Sequence, residues 1–239
     1  MSNNQSNLAK LTPARLGVGR CGVRPLTDSW LSFRADHAVA VDAVRSEVSK
    51  SFIEEFVAQY NLPIVTTMAG DRQNFVVNPP LGKKLSTEVL AKLKEEMCPE
   101  SCDVQIVISD GLSSFALEEN LPDLYPMLLD GLRQANITAG KSVVVKQGRV
   151  AVADQIAYAA KARLAVNLIG ERPGLSSASS LSAYLTYNPG PSTISSDRTV
   201  ISNIHKNGTP PLEAGAFIVK CITRILDKKM SGVQLQALG

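Results

Sequence analysis

The spacing of apolar residues along the chain changes character near residue 100. Before it, apolar positions recur at three- and four-residue intervals, the period of one helix face. Thr27 can cap a helix carrying Trp30, Leu31, Phe33 and His37. Ser51 and Glu54 are spaced as a capping box ahead of Phe56 and Val57, and Ser86 precedes Leu90, Leu93 and Met97. Three helices are therefore predicted. Between the second and third, Pro63 to Gly82 is rich in turn formers around two β-prone runs, Ile64 to Met68 and Asn74 to Val77, which predict a small hairpin or extended cover.

After residue 100 the pattern becomes strand, polar loop, helix, repeated. Strands are predicted at Val104 to Ile108, Val143 to Val145, Leu164 to Ile169, Leu181 to Tyr187 and Thr199 to Ile204. Pro122 can open a helix with Leu124, Tyr125, Leu128 and Leu132 on one face. A second helix surrounds Asp154 to Lys161, and a third begins at Thr209-Pro210-Pro211 with an apolar face through Ala214, Ile218, Ile222 and Ile225. Continuous apolar strands alternating with amphipathic helices indicate an α/β fold, a Rossmann-like, mostly parallel sheet covered by helices, preceded by a smaller, mainly helical N-terminal part. Crossovers of one hand place the strands' C-terminal loops along one edge, where ligands of such sheets bind. The loops Asp110 to Ser113, Lys146 to Val150 and Gly170 to Gly174 should share that rim.

Composition narrows the class. In 239 residues, 44% apolar content is ample for a core, and a formal charge of +3 without a basic block or stripe argues against a nucleic-acid surface. No run reaches the roughly 18 apolar residues of a membrane span, and the polar N-terminus lacks a secretory core, so an intracellular protein is expected. Cys98 and Cys102 form a CxxxC pair, but no second pair or nearby histidine completes a zinc set.

Several chemical signals fail their context. Gly17-Val18-Gly19-Arg20-Cys21-Gly22 is a literal GxGxxG, yet no strand precedes it and Val23-Arg24-Pro25 follows where a helix should start. A turn-rich arm, with Arg15, Arg20 and Arg24 available to a partner's carboxylates, fits better. Ser202, His205 and Asp197 sit within nine residues without a strand-to-helix nucleophile elbow. Two histidines, His37 and His205, cannot make a histidine-rich metal site. The rim loops are stronger candidates: Glu171 follows a permissive Gly170, Arg172 precedes a stiff Pro173, and a carboxylate held there accepts hydrogen bonds from ligand amides or hydroxyls. Glu171 and Arg172 can equally just pair with neighbouring loops. From the residues alone, this is a ligand-binding α/β domain without a visible catalytic set.

Longer strings carry more. DVQIVISDGLS, GRVAVADQIA, VNLIGERPGL, SLSAYLTYNP and DRTVISNIHKNGTPPLEA, in that order, with GRCGVRPLT and WLSFRADHAVAVDAV upstream, resemble the small subunit (light chain) of the adenosylcobalamin-dependent ethanolamine ammonia-lyases. The resemblance runs from about Leu11 to Gly232. It implies a carbon–nitrogen lyase, active only with its large subunit, that converts ethanolamine to acetaldehyde and ammonia by a radical rearrangement. In the family the substrate pocket lies in the large subunit and the corrin at the interface, which accounts for the missing catalytic set here.

By the same resemblance the cofactor contacts are Val150, Glu171 and Val200. Some relatives carry cysteine where Val200 stands, so a main-chain contact survives here and a thiol-dependent role does not. A corrin is a broad disc fringed by amides, suited to apolar surface from the valines and an acceptor from Glu171. No DxHxxG motif is present, and Asp36-His37 lacks its spacing, which implies that the cofactor keeps its own dimethylbenzimidazole as lower ligand. The expected organisation is an N-terminal helical or accessory domain over residues 1–100 and a Rossmann-like cobalamin-binding domain over 101–239. About ten residues precede the matching region, too few for a stable targeting helix, so the cytoplasm is the expected location, with a bacterial microcompartment left open. A stand-alone ligand-binding or regulatory α/β domain is the alternative.

Overall fold

The computed structural model describes residues 11–12, 14–97 and 102–237. Cys98 lies outside them. The chain enters through a short antiparallel ribbon, β1 (Arg20–Cys21) and β2 (Arg24–Pro25), turned by Gly22 at a φ of 63°. The GxGxxG string is therefore a hairpin arm, and helix α1 (Thr27–Arg45) follows it. Thr27 is the first residue of that helix and not its cap; Leu26 occupies the cap position without a side-chain bond.

The remaining strands form one sheet in the order β3-β5-β4-β6-β7-β8: β3 (Ile64–Thr66), β4 (Val104–Ser109), β5 (Val143–Lys146), β6 (Leu164–Gly170), β7 (Leu181–Tyr187) and β8 (Arg198–Ile204). The first four in that order are parallel, and β7 runs antiparallel to both of its neighbours. All residues of β4 and β6 are buried, as a strand covered on both faces requires. On one face Val104, Ile106 and Ile108 meet α2 (Lys50–Tyr60), α5 (Ser114–Gln134) and α7 (Pro211–Lys228), through Phe56, Leu117, Leu124, Ile218 and Ile222. On the other, Val107, Val143 and Val145 meet α4 (Thr87–Met97) and α6 (Val152–Ala159) through Leu93, Val152 and Ile156. Two short helices complete the chain, α3 (Arg72–Val77) and α8 (Gly232–Gln236).

Four local expectations are overturned. Pro63 to Gly82 is not a hairpin: β3 adds in parallel to the sheet edge beside β5, and Asn74 to Val77 lie in α3. The Asp71 carboxylate accepts from the Asn74 amide at 2.8 Å, and this N-cap outweighs the β preference of the valines. Ser49, not Ser51, caps α2. Helix α5 opens at Ser114, not Pro122, and carries both Pro122 and Pro126 inside it. The two prolines are four residues apart on the outer side, while Leu117, Leu121, Leu124, Tyr125 and Leu128 are buried; at about 1.5–3 kcal/mol per large apolar side chain, that face outweighs the lost hydrogen bonds. Finally, because β7 is reversed, its C-terminal loop lies at the opposite edge from the rim shared by the other loops.

Strand β8 is an edge strand with one irregularity. Leu181 pairs with Ile204 and Ala183 with Ile201, so β8 holds one extra residue, accommodated by Asn203 at a φ of 62°. This bulge lets Ile201 and Ile204, three apart, both enter the core.

Candidate functional site

The predicted rim exists, and it is tightly fitted. The turn after β4 meets the end of β6: Leu112 N donates to the Gly170 carbonyl at 2.9 Å. A Cβ on Gly170 would stand 2.6 Å from the Asp110 carbonyl oxygen and closer still to that of Ser113, so only glycine fits. The loop after β5 is tied to the same place, since the Asp110 carboxylate accepts from Gln147 N at 3.0 Å and Gly148 N at 3.1 Å. Burial pushes the Asp110 carboxyl up to about 6, against the pull of those two amides and of Arg72, whose guanidinium lies 3.8 Å away. Arg72 is itself buried, which lowers its pKa, and it clamps the rim by donating to Val44 O and Gly111 O, both at 2.7 Å.

The loop leaving β6 closes on itself. Glu171 N donates to Ser180 O and Gly174 N to Ser177 O, both at 2.9 Å. Ser113 and Asn120 of the β4–α5 corner hold its returning limb, through Ala178 O at 2.6 Å and Ser179 O at 2.8 Å.

Below this loop, one row of side chains crosses three strands on the α6 face of the sheet. Asn167, Tyr184 and Val200 stand opposite one another in register, so they point the same way. Asn167 is buried and bonded at both ends of its amide: its Oδ1 accepts from Ser109 Oγ at 2.9 Å and its Nδ2 donates to the Val150 carbonyl at 3.2 Å. The Tyr184 hydroxyl donates to Glu171 Oε1 at 2.6 Å. Burial, and then the bond to Glu171, hold the phenol well above its ordinary pKa, so it remains a donor. Val200 is 46% exposed although it belongs to the sheet. The row thus runs from a buried amide to an exposed valine and is edged by a carboxylate with one oxygen fixed and the other available to accept.

Two residues down β8, on the same face, Arg198 pairs with Asp154 of α6 at 2.5 Å, both side chains almost fully buried. They form the wall of a cavity of about 440 Å³ between α6 and the β7–β8 loop.

Comparison with known proteins decides the family. The model of the family described as Ethanolamine ammonia-lyase light chain (EutC) matches residues 2–236. The chain belongs to that family. Among curated relatives, the ethanolamine ammonia-lyase small subunit of Clostridium tetani is 45% identical over 229 residues, covering 96% of this chain and 76% of the relative. That of Clostridium perfringens is 45% identical over 225 residues, covering 94% and 75%. That of Clostridium acetobutylicum is 42% identical over 231 residues, covering 97% and 93%.

Within this light chain, Val150, Glu171 and Val200 come together around Asn167 and Tyr184, two residues that sequence reasoning passed over. Asn167 did carry a signal: a lone amide inside an apolar strand must find partners. Arg172 is exposed, and no ion pair involves it among the described residues. The serine, histidine and aspartate near the end of β8 make no triad. His205 accepts from Asn207 N at Nδ1 and so donates from Nε2 to Asn203 Oδ1 at 2.8 Å, bracing the bulge. Among the described residues no cluster of histidine, cysteine and carboxylates could hold a metal, and no helix is long and apolar enough to cross a membrane.

Proposed function

We propose that this chain, with the large subunit of ethanolamine ammonia-lyase, binds adenosylcobalamin and supports the radical deamination of ethanolamine to acetaldehyde and ammonia. The observation that carries the proposal is the exposed Val200 beside the Tyr184–Glu171 pair, with the half-buried Val150 tied to the same row through its carbonyl, in a chain of the light-chain family. A corrin ring needs apolar contact on its face and acceptors for the amides at its edge, and these residues offer both. When bound, adenosylcobalamin supplies the radical by homolysis of its cobalt–carbon bond. The residues of this chain would hold and orient it: Val150 and Val200 would supply apolar contact to the ring, and Glu171, steadied by the Tyr184 hydroxyl, would accept from a peripheral amide.

A large-subunit partner accounts for the N-terminal part. Only Ala43 of the 19-residue helix α1 is buried, while Trp30, Leu31 and Val39 are about half exposed and Val23 of the arm is 91% exposed. We assign residues 1–100 to accessory and docking roles and 101–239 to cofactor binding, with β3 lending one edge strand to the latter. The cytoplasm is the proposed location, and residence in a bacterial microcompartment is compatible with the same assembly.

Co-expression with the large subunit tests the proposal. The pair should co-purify and release acetaldehyde from ethanolamine when adenosylcobalamin is supplied; a pair that does neither refutes it. Glu171→Ala should weaken cobalamin binding by roughly 10- to 100-fold, the worth of one charge-assisted hydrogen bond, with assembly unchanged. An unaltered dissociation constant removes Glu171 from the site.

A further inference from the structure

The cavity beside the Arg198–Asp154 pair lies on the α6 face, next to the row of Asn167, Tyr184 and Val200, and the contacts described so far leave it unused. Lys83 and Lys84 reach it from the turn before α4, Tyr158 lines it from α6, and Thr193 closes it from the β7–β8 loop. Asp154 and Arg198 neutralise each other, and neither lysine enters an ion pair among the described residues. The lining therefore carries two uncompensated positive charges beside an aromatic ring that is 58% exposed. At about 440 Å³ the cavity is too small for a corrin, yet it falls within the range of roughly 300–1,000 Å³ typical of small-ligand sites.

Its position matters as much as its chemistry. Ala151, which lines the cavity, directly follows Val150, and Arg198 precedes Val200 by two residues with its side chain on the same face of the sheet. A ligand lying across Val150 and Val200 thus has the cavity at its margin. We infer that this cavity binds the phosphodiester of the cofactor's nucleotide arm, with Lys83 and Lys84 pairing to the phosphate and Tyr158 flanking the sugar. The inference rests on the cobalamin assignment above and extends it to residues that neither motif spacing nor family resemblance singled out. Ammonium groups suit this task, because a phosphodiester keeps its negative charge at all physiological pH values and a compact cation can follow it from several directions.

The test compares cyanocobalamin with dicyanocobinamide, which has the corrin but lacks the nucleotide arm, on the complex of this chain with its large subunit. Dissociation constants are read from absorbance titrations for the wild type, Lys83→Ala/Lys84→Ala and Lys83→Arg/Lys84→Arg. Both lysines are exposed, so the substitutions leave the core untouched. The alanine pair should weaken cyanocobalamin at least tenfold and dicyanocobinamide less than twofold, and the arginine pair should restore most of the loss. Equal losses for both ligands, or no loss for either, overturn the inference while leaving the cofactor assignment standing. A wild-type complex that binds neither ligand overturns both.

Discussion

Gly170→Ala should cost more stability than any other single methyl added to the Gly170–Gly174 loop, and the reason lies in backbone atoms that have nowhere to move. The new Cβ would stand 2.6 Å from the Asp110 carbonyl oxygen and nearer still to that of Ser113, against a comfortable carbon–oxygen separation of about 3.3 Å. Relief requires the end of β6 to part from the β4 turn, which stretches the 2.9 Å bond from Leu112 N to the Gly170 carbonyl. Overpacking of about 1–3 kcal/mol and about 1 kcal/mol for the hydrogen bond together give roughly 2–4 kcal/mol. That is a large part of the ~5–15 kcal/mol that holds a domain together. In urea unfolding followed by circular dichroism, with a slope of about 3 kcal/mol/M, the midpoint should fall by about 1 M. Gly174→Ala is the control: its Cβ would meet only Ser177 O, at 3.7 Å, so its midpoint should match the wild type. A Gly170→Ala midpoint equal to that of Gly174→Ala would falsify the view that the two loops are interlocked.

Two further outcomes follow from the same geometry. Val200→Cys should leave cobalamin affinity within about twofold, because the half-exposed side chain is apolar in either case and its backbone is held by pairing to Tyr184; a tenfold change in a binding titration would mean that the side chain itself is read. Asp110, raised by burial from 3.8 to about 6, holds its proton more tightly folded than unfolded. Its protonated form is therefore favoured by folding: stability from this group is full below about pH 4 and is lost as pH rises through about 6, by up to about 3 kcal/mol. The unfolding free energy of the wild type minus that of Asp110→Asn should fall across that window, and a constant difference refutes the assignment.

The sheet was readable because its strands are short apolar runs bounded by polar loops; β7 matches its predicted limits, and the other predicted strands grow by one residue at an end. Elements were misplaced where a local preference met a stronger tertiary or capping term. Pro122 looked like a helix start, but the buried face on both sides of it carries the helix through. Asn74 to Val77 looked like a strand until the Asp71 cap and the burial of Phe75 turned them into helix. At the site, the rim loops could be placed from topology alone, whereas their individual roles came from resemblance. Tyr184 and Asn167 were hidden because their importance depends on cross-strand register, which a single chain's spacing does not reveal. The Arg72–Asp110 contact, 38 residues apart in sequence, likewise exists only once the sheet is assembled.

The excursion between β6 and β7 is fastened where it leaves and returns. Gly170 stands opposite Leu181 in the ladder, Glu171 N reaches Ser180 O, and Ser113 and Asn120 grip the limb just inside. Closing such a loop costs free energy that grows only with the logarithm of its length, about 0.6 kcal/mol per doubling. The length of the tip around Arg172 to Ser177 can therefore change at little cost while the carboxylate at the stem stays in place. The arrangement separates the part of the surface whose length is free to change from the part on which the ligand would depend.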